Sequence, residues 1–173
     1  QFEEQCQCKL QVITPGDSGA MLNRVILEKN QPRADVVLGV SDSELAKSFQ
    51  YDLWDPYRSP RLQNVSRDLQ LDPQHRVTPF DHGYIAFIYD SEIIAEPPRS
   101  LDDLLQERFR QQIVISSPQT SSSGLSLLHW TIAVKGEDGY LDYWKQLQPN
   151  LLTVAADWDS AYGLFTRGEA PIV

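Results

Sequence analysis

Segments with strand-like and helix-like spacing of hydrophobic residues follow one another along this chain. Residues 9–14 alternate as in a half-buried strand, and the turn residues of 15–19 end that pattern. Residues 20–29 then place their apolar side chains at helical spacing, and residues 34–40 are almost wholly apolar, which is typical of a parallel strand covered on both faces. A strand, a helix and a buried strand in this order predict a β-α-β unit, and therefore an α/β fold.

The second half of the chain repeats this order. Short apolar runs predict a second buried strand at 113–115 and a further short strand at 151–154. Helical spacing predicts helices that run to about Val134, over 138–147 and from 157 to 167, the last with Gly168 in the C-cap position. The second half is therefore expected to form the same kind of sheet as the first.

The segments between these units have patterns of their own. A helix is expected after Ser41, and another from Ser100, where Asp103 completes a form of capping box. Residues 50–75 carry several prolines and arginines and predict surface excursions with one short strand. Residues 77–90, with aromatic residues in alternation, predict a long strand that crosses between two lobes.

Three polar turns share one position, each between the end of a predicted strand and the start of a helix. They are residues 16–19, 120–124 and 157–160. In open α/β sheets this edge is where ligands bind, and helix N-termini favour anionic groups. The hydroxyls of Ser121 and Ser122 are therefore candidates to hold a phosphate or a carboxylate, while simple N-capping is the alternative explanation.

Trp158 stands in one of these turns between two acids, Asp157 and Asp159. A ring exposed at a cleft and flanked by negative charge suits stacking on a planar cation. Packing of the ring on its own helix is the alternative.

Composition excludes some classes of function. The formal net charge is −9, and no stripe of Lys and Arg indicates a nucleic-acid surface. The two cysteines, Cys6 and Cys8, suit either a small disulfide ring or two free thiols, and no further Cys or His follows nearby to complete a metal site. No window is long and apolar enough for a membrane span. Both ends of the sequence are abrupt, which suggests an internal portion of a longer protein.

Six strings of residues resemble one family. They are Asp17-Ser-Gly-Ala-Met-Leu-Asn-Arg24, Ala34-Asp-Val-Val-Leu-Gly39, Pro79-Phe-Asp-His-Gly-Tyr84, Pro97-Pro-Arg-Ser-Leu101, Ser117-Pro-Gln-Thr-Ser-Ser-Ser-Gly-Leu125 and Trp158-Asp-Ser-Ala-Tyr-Gly-Leu-Phe165. In order and spacing they are similar to the thiamine-binding periplasmic proteins of bacterial ABC importers, which are two-lobed solute-binding proteins.

The resemblance implies a two-lobed α/β receptor of the type II, Venus-flytrap architecture, here incomplete at both ends. Residues 1–80 would form part of lobe 1 without its first strand, residues 81–90 the crossing strand, and residues 91–173 part of lobe 2. Such a receptor is not an enzyme and needs no cofactor or metal. It is periplasmic, binds thiamine, thiamine monophosphate or thiamine diphosphate, delivers the ligand to an inner-membrane ABC permease, and binds no nucleic acid.

The resemblance also assigns ligand-site residues. The family's pair after the first strand falls on Asp17 and Ser18, its hydroxyl pair on Ser121 and Ser122, and its stacking tryptophan on Trp158. Position 18 departs from the family, which usually has glycine there. Three alternatives remain from the sequence: a receptor for ferric ion or another anion, a thiamine-degrading transferase on the same scaffold, and a truncated fragment that binds nothing.

Overall fold

The sheet lies in the second half of the chain. In the computed structural model, which describes residues 1–173, β1 (Ile113–Ser116) pairs in parallel with β2 (Leu151–Ala155). Parallel strands need a long crossover, and α4 (Ser122–Lys135) and α5 (Tyr140–Leu147) provide it. The two strands and two helices predicted for this region are thereby confirmed.

The last residues of the chain extend this sheet. Ile172 forms a parallel bridge with Ile113 and an antiparallel bridge with Tyr89. The backbone N–H groups of Ile88 and Val173 each donate to the other residue's carbonyl, at 2.8 and 2.9 Å. The segment that ends in Val173 therefore lies between β1 and residues 88–90.

Both faces of β1 are buried. Ile113 and Ile115 belong to a cluster of ten buried side chains that also contains Phe109, whereas Val114 points into a smaller cluster with Ala161. Alternate residues of a strand face opposite sides, so this split is what a strand covered on both faces requires. The smaller cluster is closed by α6 (Trp158–Thr166). Its C-cap is Arg167, and Gly168, predicted as the C-cap, lies one position later with a φ of 75°.

The first half of the chain forms helices without a sheet. They are α1 (Phe2–Cys6), α2 (Ser18–Glu28) and α3 (Asp42–Gln50). The prediction of helices over 20–29 and after Ser41 is confirmed, and Ser41 and Glu44 form the capping box that starts α3. Cys6 and Cys8, left open by the sequence, are joined by a disulfide bond directly after α1.

The strands predicted at 9–14, 34–40 and 77–87 are wrong. These segments donate and accept no backbone–backbone hydrogen bonds, and apolar side chains within them lie in solvent, such as Val36 with 81% of its surface exposed. A strand exists only beside another strand, and none lies next to these segments, so the predicted β-α-β unit of the first half does not form. Only residues 88–90, at the end of the predicted crossing strand, are paired.

Two other regions also differ from their predictions. Residues 50–75 contain the short 3-10 helices Leu62–Asn64 and Arg67–Leu69 and no strand. The helix expected from Ser100 is one 3-10 turn, Asp103–Leu105, although Ser100 and Asp103 exchange the two hydrogen bonds of a capping box, at 3.1 and 3.2 Å. Two further 3-10 turns are Glu107–Phe109 and Gln148–Asn150. No helix combines the length and the apolar character needed to cross a bilayer.

Candidate functional site

Asp17 links the start of α2 to the start of α6. It is the N-cap of α2, and its Oδ1 accepts a hydrogen bond from the Ser18 N–H at 2.7 Å. Its Oδ2 accepts from the backbone N–H of Trp158 at 3.4 Å, across 141 positions of sequence. Two of the three polar turns predicted from the sequence are thus brought together by one carboxylate.

The third turn joins them through backbone packing. A Cβ at Gly19 would lie 2.9 Å from the carbonyl carbon and oxygen of Thr120, so α2 approaches the turn before α4 more closely than a larger residue allows. The Thr120 hydroxyl donates to the carbonyl of Ala156, at the end of β2. The three turns therefore meet at the carboxyl edge of the parallel strands, where open α/β sheets bind their ligands.

The turn before α4 is lined by hydroxyls. Ser121 is the N-cap and is almost fully buried, and its Oγ lies 2.9 Å from that of Ser123, which in turn donates to Ser116 Oγ at 3.3 Å. Gly124 permits this arrangement, because a Cβ there would lie 2.3 Å from the Ser116 carbonyl oxygen. Ser122, at the first position of α4, is partly exposed.

Among the four longer helices packed around this edge, α4 differs at its N-terminus. Carboxylates of Asp17, Glu44 and Asp157 accept from the first N–H groups of α2, α3 and α6 or their caps. Hydrogen bonding from Ser160 also lowers the pKa of Asp157, which keeps that carboxylate ionised. No side chain caps α4, and its first three N–H groups donate to no acceptor in the protein. The α4 N-terminus therefore offers free donors and the positive end of a helix dipole, two features that favour an anion.

Trp158 presents an aromatic face next to this edge. Its ring stacks on Tyr162, one turn later in α6, with centroids 4.8 Å apart and planes 11° apart. The residue nevertheless remains 47% exposed. Trp158 thus packs on its own helix, as one alternative from the sequence has it, and also keeps part of its surface exposed.

Ser18 has an unusual environment. The residue is 8% exposed, and its Oγ is buried without a hydrogen-bond partner. An unpaired buried hydroxyl costs roughly 1 to 3 kcal/mol. Ser18 occupies the first position of α2, directly before Gly19, which contacts Thr120 closely.

A cavity of about 350 Å³ lies between α2, α3 and α4. Ser121 lines it, together with Lys47 and Glu44 from α3, but Asp17, Ser18, Ser122 and Trp158 do not. The structure thus brings Asp17 and Trp158 into contact and places Ser121 and Ser122 on the adjoining turn, without enclosing all five residues in one pocket. Gly19 and Gly124 lie in the predicted turns, but sequence reasoning gave them no role, because their close backbone contacts carry no pattern beyond a glycine near a helix start.

Residues 31–173 match the family model described as bacterial extracellular solute-binding protein. The chain belongs to this family. Because the family consists of solute-binding proteins, the prediction that the chain is not an enzyme is confirmed.

Relatives of this solute-binding chain cover nearly all of it. It is 35% identical over 177 residues to the thiamine-binding periplasmic protein of Brucella abortus. The aligned region covers 99% of this chain and 51% of the relative. A solved periplasmic thiamin binding protein is 33% identical, with a TM-score of 0.82 over 99% of this chain and 53% of that one. A third relative is the periplasmic binding protein AfuA from Actinobacillus pleuropneumoniae, which was solved with exogenous fructose-6-phosphate bound. It is 26% identical, and its TM-score is 0.88 over 99% of this chain and 56% of AfuA.

These likenesses confirm the predicted fold class, the α/β architecture of periplasmic binding proteins. The structural similarity extends over 99% of the chain, although its first half forms no sheet of its own. The chain spans about half the length of the relatives that it matches.

Proposed function

We propose that this chain forms part of a periplasmic receptor for thiamine and its phosphate esters, which delivers its ligand to an ABC permease. The observation that carries the proposal is the meeting of Asp17 with the backbone of the exposed Trp158, beside the uncapped start of α4. The similarity to thiamine-binding periplasmic proteins over 99% of the chain supports the choice of ligand.

The cationic part of thiamine suits the Trp158 side of this edge. A flat cationic ring gains from stacking on an open indole face, and more so near negative charge. Asp17 supplies a carboxylate at the Trp158 backbone, and Asp157 and Asp159 flank the ring in sequence. A thiazolium ring that stacks here would be attracted by all three acids.

The phosphate of a thiamine ester suits the α4 side. Free N–H groups at a helix start bind phosphate oxygens, and hydroxyls next to them add donors. We assign this role to the turn that contains Ser121 and Ser122, and we expect the unpaired hydroxyl of Ser18 to donate to the ligand as well. The proposed ligand therefore lies with its cation toward Trp158 and its anion toward α4.

The same proposal includes a division into lobes. Residues 1–80 would belong to lobe 1, residues 81–90 to the crossing segment and residues 91–173 to lobe 2. Under this division, the contacts from Asp17 to Trp158 and from Gly19 to Thr120 would join lobe 1 to lobe 2. Closure of the lobes on the ligand would then act through these contacts.

Calorimetric titration with thiamine, thiamine monophosphate and thiamine diphosphate tests the function. We expect saturable binding of all three to a common site that includes Trp158, and tighter binding of the phosphorylated forms there because of the free donors on α4. Inorganic phosphate serves as the control for the anion alone. Heats no larger than those of dilution for every thiamine form would refute the proposal.

A receptor for another phosphate ester is the second candidate. The TM-score of 0.88 to a protein with fructose-6-phosphate bound favours it, and so does the uncapped turn before α4. Fructose-6-phosphate belongs in the same titration series. Binding of the sugar phosphate with no binding of unphosphorylated thiamine would select this candidate.

A further inference from the structure

A second concave surface lies in the irregular region between α3 and the crossing segment. It has a volume of about 420 Å³. We call it the arginine pocket, and its polar walls are Arg58, Ser59, Gln63, Arg67, Gln70 and His75. None of these residues belongs to the three turns described above.

Hydrogen bonds within the surrounding residues fix the walls of the arginine pocket. The side-chain amide of Gln70 donates to the carbonyls of Leu62 and Val65, at 3.2 and 2.8 Å. Directly after His75 in sequence, the Arg76 guanidinium donates two hydrogen bonds to the buried Asp72, at 3.0 and 3.1 Å, and lies over the Phe49 ring. The pocket is therefore held in shape before anything binds to it.

Its charge is opposite to that of the whole chain. Arg58 and Arg67 form no salt bridge, and no carboxylate is among the residues that line the pocket. By contrast, Arg76 next to the pocket is neutralised by Asp72. In a chain with a net charge of −9, two unpaired guanidinium groups beside one cavity favour an anion there.

His75 adds backbone strain to one wall. Its φ is 58°, in the left-handed region that non-glycine residues rarely occupy. Two hydrogen bonds hold it there: its N–H donates to the Asp72 carbonyl at 3.1 Å, and its own carbonyl accepts from the Tyr57 N–H at 2.8 Å. Such strain persists where the surroundings enforce it and is concentrated at binding sites.

We propose that the arginine pocket binds a phosphate-type oxyanion. Arg58 and Arg67 would form charge-assisted hydrogen bonds with its oxygens, and the Gln63 amide and the Ser59 hydroxyl would supply neutral donors. Free phosphate and the phosphate of a lipid head group share this chemistry. This site is independent of the thiamine proposal, because it shares no residue with it.

Titration with inorganic phosphate, followed through the NMR signals of the arginine side-chain Nε–H groups, tests the proposal. We expect saturable shifts of the Arg58 and Arg67 signals and none of the Arg33 signal. Arg33 is also exposed and forms no salt bridge, so it reports nonspecific attraction. The double variant Arg58→Gln/Arg67→Gln should weaken the apparent affinity at least about tenfold, whereas Arg33→Gln should leave it unchanged.

Vesicles distinguish the two sources. Phosphatidylglycerol in phosphatidylcholine vesicles is compared with phosphatidylcholine alone, in sedimentation assays with the same variants. Binding that needs phosphatidylglycerol and both arginines supports a head group, and saturation by inorganic phosphate supports a free ion. Linear shifts that are equal at all exposed arginines, or no response to either probe, would overturn the proposal.

Discussion

Residues 1–90 and residues 91–173 follow the same order of apolar run, polar turn and helix, but they bury their apolar residues very differently. Of the sixteen buried hydrophobic residues, only Leu22 and Leu62 precede residue 91. The later residues include both strands and both hydrophobic clusters. In the earlier ones, Leu38 and Val12 are 67% and 73% exposed.

The difference shows that an apolar run alone does not form a strand. β1 has a neighbour on each side, β2 and the segment around Ile172, and helices cover both of its faces. Residues 34–40 have the same apolar character and no neighbour. Backbone pairing and burial coincide in β1, whereas β2 is paired although Leu152 and Val154 are 37% and 49% exposed. Residues 34–40 have neither pairing nor burial, so an apolar run without a neighbouring strand stays irregular.

The largest expected effect is a loss of stability that differs between a buried position of the second half and an exposed position of the first half. Phe109→Ala removes a ring that is 1% exposed, and should lower the free energy of unfolding by about 3 to 5 kcal/mol. Leu38→Ala, at an exposed position, should change it by no more than about 0.5 kcal/mol. Urea unfolding followed by circular dichroism measures both. Equal losses for the two variants would mean that residues 34–40 are buried in the protein in solution.

A second prediction concerns the contact between the halves. Gly19→Ala places a methyl group against the Thr120 carbonyl and should cost about 1 to 3 kcal/mol, because the backbone atoms at the contact must move apart. Gly83→Ala is the matched control, since no atom lies within 4 Å of a Cβ there. Thermal unfolding and thiamine titration of both variants check this. If Gly19→Ala behaves like Gly83→Ala in both, α2 does not pack on the turn before α4.

Trp158→Ala tests the proposed cation site. Loss of the stacking face should weaken thiamine binding by about 1 to 2 kcal/mol, on the order of 5- to 30-fold, with little change in stability. Trp130→Ala is the control, because Trp130 is 38% exposed on α4 and packs near Phe87 instead. Calorimetry gives the affinities. Equal affinity of the Trp158 variant and the unaltered protein would remove this ring from the site.

Acid titration probes the buried ion pair of the first half. Hydrogen bonding from Arg76 lowers the pKa of Asp72 from 3.8 to about 2. A carboxylate with a lowered folded-state pKa contributes stability above pH 3.8, and that contribution is lost as the pH falls toward 2. Asp72→Asn should therefore reduce stability at neutral pH and flatten its decline in acid, whereas Asp35→Asn, on an exposed residue, should do neither. Unfolding midpoints measured at a series of pH values decide the matter.

The smallest effect is expected from Ser18→Ala. The Ser18 hydroxyl has no partner, so its removal should leave stability unchanged or slightly higher, while binding of a thiamine phosphate weakens by about 1 kcal/mol. Ser48→Ala is the contrast, because that buried hydroxyl accepts from Trp54 Nε1 at 2.9 Å and its loss should destabilise the protein. A fall in stability for both variants would assign Ser18 a structural role.

The sequence determined helices α2 to α6 and the position of the polar turns, although the helix predicted from Ser100 is only one 3-10 turn. Local spacing and capping residues indicated α2 to α6 within a few positions, since the groups that start a helix are neighbours in sequence. The same reasoning marked residues 16–19, 120–124 and 157–160 as candidate site turns. Their residue types alone suggested anion and cation binding.

Only the tertiary structure decided which apolar runs become strands and how the turns meet. Residues 34–40 and 113–115 have equivalent patterns, and the presence of a neighbouring strand distinguishes them. Contact between Asp17 and Trp158, and the unpaired hydroxyl of Ser18, likewise depend on residues far apart in sequence. Helix starts are encoded locally, whereas strand pairing and the assembly of a site depend on long-range contacts that no local pattern contains.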